Sequence, residues 1–266
     1  MSETQSKESK TSKNKSSVPS VEKAFDVLEL LSAHADGLTM NEIVEALGRT
    51  MGELYRIVLY LAERGYLEQN PSTLRYSLTL GLYELSHRHP PMERLLREAV
   101  PVLERIAALS EQSCHLGVLN RANVLILASV ASPRPAGYSV RTGSVFAAHK
   151  TSTGMVILAH SDQDAQKRFL NRLSSDLRTE ARRRLNEISE RGYDDFESEL
   201  VAGVRNLSSP IFDSRGIVGA ITSGYIKQLD PKTTPEETLQ IIRENAALLS
   251  RSLGYVSNGP RSTPLP

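Results

Sequence analysis

Along the first third of the chain, apolar positions recur every three or four residues, the spacing of one helix face. Val21, Ala24, Phe25, Leu28 and Leu31 mark a first helix, opened by Pro19-Ser20 and ended by Ala35-Asp36-Gly37. Thr39 with Glu42 three residues later forms a capping-box pair for a second helix, whose Ile43 and Leu47 point inward. Gly48 follows, free to take positive φ in a tight turn. A third helix is predicted from about Met51 to Arg64, with Leu54, Val58 and Leu61 as its buried stripe. Gly65 ends it. Tyr66–Gln69 and Leu74–Leu78 read as short strands around the turn Asn70-Pro71-Ser72-Thr73, and a helix from Leu80 to His87 closes the segment. Three helices and a hairpin, with a glycine between the second and third helices, form the layout of a winged helix-turn-helix. That module sets the second helix of the pair in the DNA major groove.

His87-Arg88-His89-Pro90-Pro91 is the clearest boundary, because two prolines fix φ and remove donors. Helical spacing resumes from Met92 to Gln112 through Leu95, Leu96, Val100, Leu103, Ile106 and Leu109. Strands and helices then mix. His115–Leu119 and Val124–Val130 suggest a hairpin, and Tyr138-Ser139-Val140 another short strand. Helices are expected from Thr151, over Asp164–Leu173 and over Ser175–Arg191. Gly203–Phe212 and Ile217–Ile226 pair as strands around Asp213-Ser214-Arg215-Gly216, and a last helix starts at Thr234-Pro235. Hairpins with helices beside them indicate an antiparallel α+β domain.

Composition narrows the classes. With 266 residues there is room for two modest domains, and with no Trp the cores are aliphatic. A single Cys114 excludes a disulfide framework or a cysteine-rich zinc cage. No apolar run is long enough for a membrane span, and the Ser/Lys/Glu-rich start has no secretory h-region, so a cytoplasmic protein is expected. Residues 1–17 carry Lys7, Lys10, Lys13 and Lys15 against Glu3 and Glu8, a basic tail able to touch phosphate. Residues 18–86, by contrast, hold ten acidic side chains against five basic ones, an unfavourable balance for DNA. Arg49, Arg56 and Arg75 nevertheless fall on or near the third helix and the hairpin. Arg56 is the best single DNA-contact candidate; the competing use is an ion pair with Glu53 or Glu63.

There is no phosphate loop, zinc-protease helix or nucleophile elbow, so no catalytic residue is assigned. His87 and His89 have no third ligand in view, and no metal or cofactor is expected. Asp194-Asp195 reads as a solvated acidic turn. Cys114 and His115 point to opposite strand faces. The stretch Ala148-His149-Lys150-Thr151-Ser152-Thr153-Gly154 is more telling, because it runs into an apolar helix. Unpaired N–H groups at a helix start, with the hydroxyls of Thr151, Ser152 and Thr153 and with His149 and Lys150 beside them, suit a carboxylate; an ordinary N-cap is the competing explanation. Asn206, Ser208-Ser209 and Thr222-Ser223 place polar groups on strands expected to be buried.

The patterns VEKAFDVLELLSA, LTMNEIVEALG, LYRIVLYLAERGYLEQ and RYSLTLGLYELS, with HKTSTGMVILA and RGYDDFESELVAGVRNLSSPIFDSRGIVGAITS, resemble the IclR-type bacterial transcriptional regulators over residues 18–253. The resemblance implies a winged helix-turn-helix (18–86), a linker helix region (87–100) and a GAF-like effector-binding domain (101–254), followed by a loose tail (255–266). It implies double-stranded DNA as partner, dimers often paired into tetramers, and a small organic or aromatic acid as effector. Carried over by position, the effector site draws on Ser152, Thr153, Asn206, Thr222 and Gly224. Phe196 stands where relatives place a polar residue. Thr50-Met51-Gly52-Glu53 departs from the Pro-Lys-Ser-Thr-like entry to the recognition helix, and Met155 stands where relatives commonly carry lysine. The DNA-contact candidates are therefore Arg49, Thr50, Glu53, Tyr55, Arg56 and Arg75. The effector candidates are His149, Ser152, Thr153, Gly154, Asn206 and Thr222. The alternative is a sensor module acting through protein contacts without specific DNA binding.

Overall fold

A computed structural model describes residues 18–87 and 90–256. The basic tail expected at 1–17, residues 88–89 and the C-terminal tail from 257 lie outside the described residues. The chain divides into two compact units, Met1–His89 and Pro90–Pro266.

In the first unit, α1 (Pro19–Ser32), α2 (Met40–Leu47) and α3 (Met51–Glu63) pack around Val27, Leu31, Ile43, Leu54, Val58 and Leu61. Thr39 and Glu42 close a capping box at the start of α2, and Gly48 ends α2 at φ 59°. A Cβ at Gly48 would meet nothing, so the glycine serves only the left-handed turn that aims α3. β2 (Leu67–Gln69) and β3 (Arg75–Leu78) form the hairpin. A further strand, β1 (Leu38–Thr39), pairs with β3, giving the order β1-β3-β2. α4 (Gly81–His87) follows. One expectation for α1 fails: Val21 and Phe25 are more than half exposed. The buried seam runs through Ala24, Val27, Leu28 and Leu31, and Phe25 lies one residue, about 100°, off it.

In the second unit a six-stranded antiparallel sheet has the order β6-β5-β4-β9-β8-β7. Its strands are β4 (Cys114–Asn120), β5 (Asn123–Val130), β6 (Val145–Ala147), β7 (Asp194–Glu197), β8 (Val204–Asp213) and β9 (Gly216–Ile226). One face is covered by α5 (Pro90–Ser110) and α9 (Pro235–Ser252), through Leu103, Ile106, Leu116, Ile211, Ile221 and Ile242. On the other lies α6 (Ser152–Ala159), backed by α7 (Gln163–Leu170) and α8 (Ser175–Arg191). Every residue of α6 is buried, as expected for a helix apolar on all sides. Tyr138-Ser139-Val140 is irregular backbone; the edge strand on β5 is Val145–Ala147 instead. α5 buries Leu95, Ala99, Leu103 and Ile106 but leaves Val100 and Leu109 partly exposed.

Candidate functional site

The third helix presents its polar face to solvent. Arg56 is exposed, and among the described residues it has no ion-pair partner. Of the two expected partners, Glu53 is engaged elsewhere. Glu53 Oε2 accepts from the Thr50 amide (3.0 Å) and hydroxyl (2.9 Å), while Oε1 accepts from Lys23 Nζ at 2.8 Å. The Lys23 hydrogen bond, followed by the two from Thr50, holds the Glu53 carboxyl down to about 2. Glu53 is thus an ionised cap tying α3 to α1. Tyr55 stays half exposed.

Two of the candidate arginines are engaged within the unit, and one of them, Arg75, is placed differently from the sequence reading. Arg49 pairs with Asp26 at 3.2 Å. Arg75 does not project from the hairpin: its guanidinium forks onto Glu42 (3.0 Å to each oxygen) and donates to the Gly37 carbonyl at 2.9 Å. The cause is register. Pairing of Thr39 with Arg75 sets the side chain against the start of α2, where capping Glu42 is waiting. Thr39, followed by Arg75, holds the Glu42 carboxyl below its usual range.

In the second unit a cavity of about 30 Å³ lies between the α6 start and β4, β8 and β9. That is room for about one water molecule. Its polar wall comes from Lys150, Thr151, Ser152, Thr153, Asn206 and Thr222; its apolar wall comes from Val124, Ile126, Tyr138, Val140, Phe146 and Leu200. Thr151 caps α6 by accepting from Gly154 N–H at 3.0 Å. The amides of Ser152 and Thr153 are first-turn donors with no intrahelical partner, at the positive end of the helix dipole. Neither Lys150 nor the Asn206 amide has a side-chain hydrogen bond among the described residues, so both are open to a ligand.

A buried chain of hydroxyls continues inward. His115 Nε2 lies 3.2 Å from Thr153 Oγ1, which is 2.7 Å from Thr222 Oγ1, itself 2.7 Å from Ser208 Oγ. Burial alone pushes the His115 imidazole down to about 4, so it is neutral at physiological pH. The neutral ring donates or accepts at Nε2 according to its tautomer, and the hydroxyls reorient with it. Cys114 Sγ points the other way, to the Leu103 carbonyl, as strand alternation requires.

Of the effector candidates, Ser152, Thr153, Asn206 and Thr222 meet at this cavity; His149 and Gly154 are not on its wall. His149 lies on the 3₁₀ turn Ala148–Lys150. Gly154 is used for packing: a Cβ there would sit 2.4 Å from the Ala148 carbonyl oxygen. Gly224 also allows a close approach, since a Cβ would fall 2.6 Å from the Tyr138 ring. Lys150, which the sequence reading names as a donor beside the helix start, is on the wall as well; His115, Tyr138 and Phe146 are lining residues that the sequence reading does not reach. Only the inward alternation of β4 signalled His115. Asp194 is a second correction: it is fully buried on β7 and paired with Arg184, not a solvated turn.

The sequence and fold agree with known proteins. Residues 20–71 match the IclR helix-turn-helix domain, and residues 92–251 match the bacterial transcriptional regulator IclR C-terminal domain. The glycerol operon regulatory protein of Streptomyces griseus is 30% identical over 248 residues, 89% of this chain and 97% of that protein. The HTH-type transcriptional regulator KdgR of Escherichia coli K12 is 27% identical, covering 91% of this chain and 95% of KdgR. Among solved structures, an IclR homolog from Microbacterium hydrocarbonoxydans complexed with 4-hydroxybenzoate superposes with TM-score 0.74 at 21% identity. That alignment covers 88% of this chain and 98% of the homolog. A DNA-binding helix-turn-helix joined to an effector domain defines a class of transcriptional regulator, and this chain belongs to the IclR family of that class. No helix among the described residues is long and apolar enough to cross a membrane.

Proposed function

We propose that the chain is a cytoplasmic, ligand-responsive regulator in which Arg56 on α3 contacts duplex DNA and the cavity at the α6 start binds a small organic or aromatic acid. The observation that carries the effector half is the convergence of Lys150, the free amides of α6, and the hydroxyls of Ser152, Thr153 and Thr222 on one cavity. Cation, helix dipole and donors suit a carboxylate. Val124, Ile126, Val140 and Phe146 suit an apolar or aromatic body. The 4-hydroxybenzoate bound by the Microbacterium homolog supports this ligand class and supplies a probe. The protein works as a dimer or a pair of dimers, so that two α3 helices address half-sites about 34–36 Å apart, and the acid shifts an equilibrium between subunit arrangements.

The test is a gel-shift titration of DNA upstream of the protein's own gene, over a salt series. Arg56→Ala lowers affinity and reduces the salt slope by about one. Unchanged affinity and slope reject the contact. The second reading, a sensor that does not bind specific DNA, draws on the pairing of Arg49, Arg75 and Lys23 with acids, which leaves few free cations near α3. It predicts no shift at low salt for the unaltered chain.

A further inference from the structure

A buried charge lies behind the cavity wall. Arg184 on α8, its side chain only 5% exposed, meets the fully buried Asp194 at 2.6 Å through Nη2. The same nitrogen donates to Ser152 Oγ at 3.1 Å, and Ser152 lines the cavity. The Phe196 ring covers the guanidinium, with Cζ 3.8 Å from its centroid. The arrangement is nonetheless incomplete. Arg184 Nε and Asp194 Oδ1 are buried and have no hydrogen-bond partner among the described residues. Arg184 Nη1 meets Glu199 at 3.7 Å, too long for a hydrogen bond, and Glu199 is 48% exposed. A guanidinium has five donors, and buried donors left open cost stability.

Stability alone is a poor reason to keep such a group, since a buried ion pair adds little net stabilisation even when fully bonded. Its surroundings suggest another use. Ser198 and Leu200, on either side of Glu199, both line the cavity, so the weak Glu199 contact belongs to a segment that forms part of the cavity wall. The cavity is much too small for an aromatic acid while that segment stays in place. An incoming carboxylate that replaced Glu199 would leave the local charge unchanged, with Asp194 still balancing Arg184.

We propose that Arg184 is the specificity-determining cation of this site: an acid entering beside Ser152 takes the donor edge that Glu199 now grazes and releases that wall segment. The proposal rests on the acid-effector reading above. It is tested by calorimetry on the full chain with 4-hydroxybenzoate and 4-hydroxybenzamide, which share a shape and differ in charge. One variant is Arg184→Gln/Asp194→Asn, which removes both charges and strands neither. The other is Glu199→Gln, a change at a half-exposed side chain. The unaltered protein should prefer the acid by about tenfold or more, and the double variant by no more than about threefold. Glu199→Gln should tighten the acid several-fold and the amide by less, because freeing the segment helps both ligands while removing a competing carboxylate helps only the acid. If acid preference survives in the double variant, or Glu199→Gln has no effect, the role of Arg184 is rejected while the acid site stands. If the unaltered chain binds neither probe, or binds both equally, both readings are rejected. Should the double variant fail to fold, as judged by circular dichroism, the Glu199→Gln result alone decides.

Discussion

Acidification should weaken the second unit through one residue. His115 is enclosed by β4, β5, β9 and α6, and burial lowers its imidazole from 6.5 to about 4. In the unfolded chain it titrates normally. A depressed folded value means that its contribution is complete above about pH 6.5 and is lost as pH falls toward 4, because the unfolded state takes up the proton first. At 1.36 kcal/mol per pKa unit, the loss is about 2 kcal/mol by pH 5 and about 3 kcal/mol by pH 4. The comparison is the unaltered chain against His115→Gln, which keeps a hydrogen-bonding group near Thr153 but does not titrate. His160, whose imidazole burial also lowers, and the carboxylates contribute to both proteins and cancel. Urea midpoints followed by far-UV circular dichroism from pH 7 to pH 4.5 give the difference. Converging curves, with the unaltered chain losing its advantage on acidification, are expected. Parallel curves would show that His115 is hydrated or partnered in solution and would refute the neutral hydroxyl chain built on it.

Two glycine substitutions separate strain from crowding. Gly48→Ala places a Cβ in open space but forces a left-handed residue, so urea denaturation should show a loss of about 1 kcal/mol confined to the first unit. A loss several times larger would mean that the helix-turn-helix angle itself had changed. At Gly154→Ala the new Cβ meets the Ala148 backbone at 2.4 and 2.7 Å, so overpacking should cost about 1–3 kcal/mol and widen the α6 start. Thermal melts of the second unit check this, and an unchanged melt would show that the 3₁₀ turn yields freely.

Elements of strong period were legible in the sequence. The α2 capping box, the buried stripe of α3, the turn at Gly48 and the paired strands β8 and β9 follow from local rules, because the chain within a few residues decides them. So did the hydroxyls Ser152, Thr153 and Thr222, whose polarity stands out against apolar neighbours. Short-period ambiguity produced the misses. Val21 and Phe25 fit a helix face, yet which face is buried depends on α2 and α3. Tyr138–Val140 has strand character, but β5 pairs with Val145–Ala147, and β pairing is a contact between distant segments.

The sequence by itself determined the class of the longer elements, the two-part organisation and the chemistry available at the α6 start. Only the tertiary structure decided how the charges are spent. Register turned Arg75 onto Glu42, helix packing tied Glu53 to Lys23, and burial joined Arg184 to Asp194 and Ser152. Partners separated by 10 to 33 positions leave no periodic trace in the sequence, because an ion pair is chosen by proximity in space and by the loss of competing water.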